Sequence, residues 1–538
     1  MRNRYISIGL TFAIVLILLL HTNYLRFVCD DAFISFRYAK NFVEGHGLVY
    51  NIGERVEGYS NFLWTLLLSL FIKMGLDPVV MSQILGVLFS LATVFLLLRL
   101  NRRLYPEENL FNYLAPLFLA CCGAYAAWST GGLETSFFTF LVLLGSFFFI
   151  LGIDQPKHFA YSGMVFSLVC MTRLDGLVFV SITFVLLLYL LVIKKMVEVK
   201  SLSLWTFSFL IPFLLYFFWR WSYYGKLFPN TFYIKVAGAS YYHQGFVYLL
   251  DFVERFWIWL MVIPLLFLGK GIKLNTNLKI VVFYFTSMIL VFSCYVVYVG
   301  GDFMDMFRFF VPILPLFFFL IQEGFRGIYY YSQSLSERRH RAAVVALTIL
   351  LAGLGLFLLA NPSRESNKVW SRNNIDSIGL LRESAHLWSK AGLMFKRIAK
   401  PDESLSTTAA GAIPYYSELY AIDELGLTLS ASQSELKPRK VGKTGHRRMV
   451  TDEFVLSQRP TYVVGHPGIF YEHELAGGVA ASHRQRTFAE NGYELKLFRV
   501  RIAENEVKYL VCMTPEKSPP EDSYQQSSGP PGGEKERR

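Results

Sequence analysis

Apolar stretches recur along this 538-residue chain from Tyr5 to Leu359, separated by short polar or charged loops. Candidate membrane spans are Tyr5–Asn23, Pro78–Leu98, Leu110–Trp128, Thr135–Leu151, Phe159–Met171, Leu177–Ile193, Leu202–Phe218, Val247–Leu268, Ile280–Val299, Phe307–Ile321 and Ala342–Leu359. Most approach the roughly 20 residues needed to cross a bilayer, so about eleven spans are expected. The sequence is 54% hydrophobic and 17% charged, which is too apolar for a water-soluble chain of this size. A multi-pass α-helical membrane protein is the class that fits. The net charge of +12 then belongs to cations at helix ends and lipid headgroups, and nucleic acid is not an expected partner. The first apolar run follows "MRNR" with no small-residue cleavage site after it, so it reads as a retained span. Six cysteines show neither CxxC nor Cys/His spacing, which argues against structural zinc or a disulfide framework.

One stretch decides orientation. "SNFLWTLLLSLFIKMG", residues 60–75, has an apolar core about half the usual spanning length and carries a Trp. If it lies flat, the loops Arg99–Glu108, Asp154–His158, Lys194–Lys200, Lys270–Lys279 and Ser336–Arg341 all fall on the cytoplasmic side, and all but the second are clearly basic. If it spans, they all move outside, against the usual bias. The flat reading is therefore preferred, with the amino terminus inside. It places "DDAFISFR", "WSTGGLET", "TRLDG", "RWSYYGKLFPNTFYIK" and "GGDFMDMFR" together on the outer face.

The character of the chain changes near Asn361. Ile375–Ala399 has helical spacing of apolar residues, and "PTYVVGH", "YELKLFRV" and "KYLVCM" alternate like strands. Three regions are expected: a transmembrane module over 1–360, an extracytoplasmic α/β domain over 361–513, and a disordered Pro-, Gly- and Ser-rich tail over 514–538.

Asp30 and Asp31 follow the first span directly and open an amphipathic helical pattern. An acidic residue at this place can cap a helix and complement its dipole. Alternatively, a carboxylate at the mouth of a membrane cavity is a general base. On an outer membrane face, activated groups arrive on lipid phosphates. A sugar carried on polyprenyl phosphate needs a base for the acceptor hydroxyl and cations for the leaving phosphate. The outer loops offer Arg173, Arg220, Lys226, Lys235 and Arg308, though a loop cation is more often simply solvated. In "GGDFMDMFRFFVPILP" the glycines break a helix, and Asp302, Asp305 and Arg308 at i, i+3 and i+6 would share one side of the next helix. An ordinary helix cap with an internal ion pair accounts for the same residues equally well. Glu134 stands at a helix start in "GGLET".

The block "DDAFISFRYAKNFVEGHGLVYNIGERVEGYSNFLWTLLL" resembles the first extracytoplasmic loop of GT-C polyprenyl-phosphate-dependent glycosyltransferases, in particular the group of the terminal arabinofuranosyltransferase of mycobacterial cell-wall synthesis. "GGLETSFF", "TRLDG", "GGDFMDMFRFFVPILP" and "AAGAIPYYSELYAIDELGLT" are similar to later landmarks of that group in the same order. The resemblance implies an inverting transfer of arabinofuranose or a related pentose or hexose, from a polyprenyl-phosphate donor to a surface glycan or lipid-linked acceptor. It implies a bacterial cytoplasmic (inner) membrane location with an extracytoplasmic active site. It makes Asp30 the base and Asp31 its partner; from the residues themselves, Arg308, Arg173 and Lys235 are the candidate donor-phosphate groups. Asp302, Asp305 and Glu134 would support them. Tyr59, Trp64, Tyr415 and Tyr416 would stack on sugars, although most such aromatics serve as interfacial belts. No organic cofactor is implied. A carboxylate pair is also a competent ligand for a divalent cation, so the sequence leaves a metal open. A flippase of lipid-linked glycans is the alternative from another class, but charges gathered at one face fit it poorly.

Overall fold

The computed structural model describes residues 2–106, 109–236, 241–268, 276–430, 435–438, 448–475 and 483–516. The chain divides into two units: residues 1–385 with 438–448, and residues 386–437 with 449–538.

The first unit is helical. It opens with α1 (Arg2–Tyr24), α2 (Asp30–Val43), α3 (Phe62–Lys73) and α4 (Pro78–Leu104). The next are α5 (Leu114–Cys121), α6 (Gly123–Trp128), α7 (Thr135–Asp154), α8 (Lys157–Thr172), α9 (Gly176–Val192) and α10 (Val199–Tyr224). Then come α11 (Asn230–Val236), α12 (Tyr242–Arg255), α13 (Ile258–Met261), α14 (Thr276–Val299), α15 (Leu314–Ser332) and α16 (Glu337–Ser366). Among the described residues, seven stretches are long and apolar enough to cross a membrane: α1 from Tyr5, α4, α7, α10, α14, Arg308–Ser332 and α16. The protein is a multi-pass membrane protein. At about 1.5 Å per residue the twelve residues of α3 extend about 18 Å, too short to cross.

Two expected spans are not single helices. Leu110–Trp128 breaks at Cys122, whose extended backbone (ψ 115°) separates α5 from α6. Val247–Leu268 divides at Trp257, which has φ 51°. Its first half, α12, carries Asp251, Glu254 and Arg255, charges that a lipid-buried helix would not tolerate.

Small residues allow the helices to approach closely. A Cβ on Gly163 of α8 would lie 2.3 Å from the Trp205 carbonyl of α10, and Trp205 donates to Ser162 at 3.1 Å. Ser90 of α4 meets Ser129 Oγ at 2.7 Å and Ser136 Oγ at 3.0 Å, tying α4 to the turn before α7. The long loop between α2 and α3 is fastened to α10. Arg220 forks onto Glu57 at 2.9 and 2.6 Å, and the Tyr224 hydroxyl donates to the Leu48 carbonyl at 2.8 Å.

A hairpin of β1 (Ser371–Arg372) and β2 (Ile375–Asp376) follows α16, and Asp376 exchanges backbone hydrogen bonds with Phe303 and Asp305. The helix α17 (Ile378–Ile398) then leads into the second unit. There the sheet contains β3 (Ser404–Thr407), β4 (Tyr420–Asp423), β7 (Tyr462–Gly465), β8 (Ile469–Phe470), β9 (Tyr493–Ala503) and β10 (Glu506–Pro515). The short strands β5 (Leu436–Pro438) and β6 (Arg448–Val450) pair with each other. The main order is β4-β3-β7-β10-β8, with β9 on β10. β3 runs parallel to β4 and β7, while β10 is antiparallel to its neighbours. This is the expected α/β class. Strand β10 runs through Pro515, so Thr514 belongs to the sheet rather than to a tail. From residue 517 onward the expected tail lies outside the described residues.

Candidate active site

Asp30 and Asp31 are the first two residues of α2 and are half-buried. The N-cap is Cys29, with extended backbone (φ −88°, ψ 158°) and no side-chain cap. Neither carboxylate occupies the N-cap position, and both stand in the first turn, where the helix dipole favours them. Among the described residues, Asp31 has no hydrogen-bond or ion-pair partner. Burial pushes the Cys29 thiol well above its usual pKa, and the charges of Asp31 and Asp30 push the same way. Cys29 is therefore held neutral and is no nucleophile.

The start of α2 rests on the "GGLET" turn. Gly131 O accepts from Cys29 N at 3.2 Å, and Gly132 O accepts from Trp64 Nε1 at 3.1 Å. Gly132 has φ 84°, and a Cβ there would lie 2.7 Å from Ala32 Cβ. Only glycine permits both the backbone turn and this contact. Beyond the turn Glu134 is buried, accepting from Asn61 Nδ2 at 2.8 Å and pairing with Arg173 Nη1 at 3.1 Å. Asn61 in turn accepts from Ser35 of α2 at 3.0 Å.

Arg173 is fully committed. Its Nε and Nη2 donate to Asp175 at 3.0 and 2.9 Å, and its Nη1 goes to Glu134. Burial lowers its pKa, but Asp175 and Glu134 outweigh that and hold it above the ordinary guanidinium value. Each guanidinium nitrogen of Arg173, expected to bind phosphate, already faces a carboxylate of Asp175 or Glu134.

Arg308 differs. Residues 300–307 form an irregular loop, not the predicted helix. Gly300 and Gly301 have φ of 91° and 70°, and Met306 and Phe307 are left-handed at 58° and 47°. Two consecutive non-glycine residues in that region are strained. The loop directs its two aspartates apart. Asp302 pairs with Arg308 Nε at 2.8 Å, while Asp305 pairs with Arg255 and accepts from Ser366. Asp305 is 1% exposed, and burial raises its pKa against the pull of Arg255. It is buried on partners within the fold, Arg255 and Ser366, and anchors the loop. Among the described residues Arg308 is engaged through Nε alone, leaving both Nη groups of its fork open. Its guanidinium lies 5.4 Å from the Trp128 ring and 5.3 Å from Phe309, whose ring also carries Arg173 at 5.1 Å. Asp302, Arg173, Glu134 and Asp31 all act on the charge of Arg308. One electrostatic cluster thus joins α2, the glycine turn, the α8–α9 turn and the 300–308 loop.

Two further candidates are buried. Trp64 is 0% and Tyr59 4% exposed. Trp64 is held by Gly132, and Tyr59 packs on Tyr38 at 4.6 Å with its hydroxyl 3.2 Å from that of Tyr224. Both rings are packed within the fold. The side chain of Lys235 lies outside the described residues. Sequence reasoning missed Asn61 and Phe309, which carry no local signal, and did not commit to Asp175, although "TRLDG" displays it beside Arg173. Among the described residues, no group of three or more His, Cys, Asp or Glu side chains is arranged to hold a metal ion.

Residues 374–514 match a family model described as a domain of unknown function, DUF8728. A terminal β-(1→2)-arabinofuranosyltransferase of Mycobacterium tuberculosis (strain ATCC 25618 / H37Rv) is 28% identical over 253 residues. That match covers 44% of this chain and 39% of the relative, so the chain spans well under half the length of the curated protein it matches. Among solved structures, ArnT from Cupriavidus metallidurans bound to undecaprenyl phosphate superposes with a TM-score of 0.57 at 12% identity, covering 94% of this chain and 98% of that one. This chain has the GT-C fold. The apo form of the same ArnT gives 0.54 at 13% identity, over 95% of this chain and 98% of that one. The cluster around Arg308 is built from segments far apart in sequence.

Proposed function

We propose that the protein is an inverting glycosyltransferase that moves a sugar from a polyprenyl-phosphate donor to a cell-envelope glycan on the extracytoplasmic face. Arabinofuranose or a related pentose or hexose is the transferred group. The observation that carries this reading is the Arg308 fork, open at both Nη groups and within electrostatic reach of Asp31 in the first turn of α2.

In this reading a carboxylate of the Asp30–Asp31 pair takes the proton of the acceptor hydroxyl as its oxygen attacks the anomeric carbon. The bond from that carbon to the phosphate oxygen breaks, and polyprenyl phosphate leaves with the electron pair. A positioned base contributes typically about 10²–10⁴-fold. Donors aimed at the departing phosphate add roughly 10²–10³-fold. Arg308 supplies those donors through Nη1 and Nη2, while its Nε end is ion-paired with Asp302. Glu134 and Arg173 hold the turn beneath α2 and so set where the aspartates stand. The basic character of the loops assigned to the opposite side supports the outward orientation.

The test is reconstitution. Purified protein in proteoliposomes, given synthetic polyprenyl-phosphate arabinofuranose and a soluble arabinoside acceptor, is expected to form a new glycosidic bond detectable by mass spectrometry. Transbilayer movement of the lipid-linked sugar without any such bond would overturn the proposal.

A further inference from the structure

Helix α10 carries a groove at the membrane surface that the transfer chemistry does not use. Only 17% of its most apolar stretch is buried, so lipid surrounds most of this helix. Its neighbour α8 ends at Thr172, directly before Arg173 of the charged cluster. The far end of α10 meets the α2–α3 loop, where Arg220 holds Glu57. The first residues of the two helices, Lys157 and Val199, therefore stand at the opposite surface, remote from Asp30 and Asp31. Between the helices a groove of about 500 Å³ runs from Lys200 to Pro212 of α10, with Met164 of α8 as its second wall. Gly163 draws the backbones together, since a Cβ there would lie 2.3 Å from the Trp205 carbonyl. Ser203 and Ser208 are small and leave a hollow beside Phe207 and Ile211, which are 60% and 58% exposed.

Length and charge select the occupant. From Lys200 to Pro212 the helix rises about 18 Å at roughly 1.5 Å per residue. Half of a hydrocarbon core about 30 Å thick is about 15 Å, so the groove matches an acyl chain of one leaflet. A polyprenyl chain would overrun it. At the mouth the charge is one-sided: segments 155–164 and 193–212 hold Lys157, Lys194, Lys195 and Lys200 against the single acid Glu198. Lys194 folds over the Tyr189 ring at 5.8 Å, whereas Lys200 is exposed and has no ion-pair partner among the described residues. Cations in excess at a membrane surface attract anionic headgroups over zwitterionic ones. A lysine stem lying along apolar surface with its ammonium at the headgroup level suits that contact.

We infer that this groove is a specific site for one anionic phospholipid of the leaflet opposite the Asp30–Asp31 pair, with its phosphate on Lys200 and one acyl chain against Met164 and Phe207. The site does not depend on the transfer reading. The test is native mass spectrometry of the full chain released from detergent micelles. The probes are palmitoyl-oleoyl phosphatidylglycerol, phosphatidylcholine with the same chains, and undecaprenyl phosphate. One phosphatidylglycerol is expected to bind about fivefold or more tightly than phosphatidylcholine, and undecaprenyl phosphate is expected not to displace it. Lys200→Gln is expected to weaken phosphatidylglycerol binding about fivefold, the share of one lysine near an anionic headgroup. Ser203→Phe fills the hollow while keeping the charge and is expected to weaken binding at least as much. Met164→Trp fills it from the other wall and carries the test if Ser203→Phe misfolds. Arg339→Gln removes a cation from the start of α16 and is expected to leave binding unchanged. Equal binding of the two phospholipids, displacement by undecaprenyl phosphate, wild-type binding in the folded groove variants, or an equal loss in Arg339→Gln would overturn the site.

Discussion

Arg173 and Arg308 stand over the same Phe309 ring, yet their surroundings give them opposite capacities. Every nitrogen of Arg173 faces a carboxylate, whereas Arg308 keeps two-thirds of its fork. Arg308→Ala is therefore expected to cut the transfer rate by roughly 10²-fold or more while the protein stays folded, as measured in the proteoliposome assay. Arg173→Ala strands Glu134 and Asp175 without a counter-charge and should instead lower the melting temperature. The sequence made the Asp30–Asp31 pair legible because two acids directly after an apolar run need an explanation. It could not sort the arginines. "TRLDG" and "DMFR" look alike as loop cations, and only the folded chain shows which one meets two carboxylates. Asn61 was silent for the same reason, since its partners Ser35 and Glu134 come from different segments.

At the scale of elements, the loop between α2 and α3 is a strap fastened by the Glu57–Arg220 pair, both members of which are buried. Burial raises Glu57 from 4.5 to about 7, against the hydrogen bond and charge of Arg220. A folded-state value above the unfolded one means that the stability linked to this group is complete below pH 4.5 and is lost as pH rises through about 7. Thermal unfolding of wild type and Glu57→Gln, compared across this window, should show the wild type losing ground as pH rises and the variant following a flatter course. Glu57→Ala is expected to destabilise by about 3–5 kcal/mol, because Arg220 is left buried and unpaired. Element types were largely readable from hydropathy period, and so was the globular α/β half. Where the reading failed, the cause was a local break: Cys122 interrupting one apolar run, Trp257 another, and Met306–Phe307 replacing an expected helix. None of these residues signals a break by its own propensity. The backbone bends there because tertiary packing requires it.

At the scale of the whole molecule, the GT-C fold gathers one charged cluster from residues 30 to 308, and the basic loops favour the outer face for it. In a Cys294→Ser background, Ile52→Cys is expected to react with an impermeant maleimide from outside the cell, and Arg339→Cys only after permeabilisation. The opposite pattern would place the carboxylates in the cytoplasm, out of reach of a surface glycan. The central claim is that a carboxylate at the start of α2 removes the acceptor proton. Single-turnover transfer by Asp30→Asn and Asp31→Asn, in folded protein with saturating lipid donor, measures this most directly. A loss of about 10²–10⁴-fold in at least one variant is the predicted result. Turnover within a few-fold of wild type in both would contradict the mechanism.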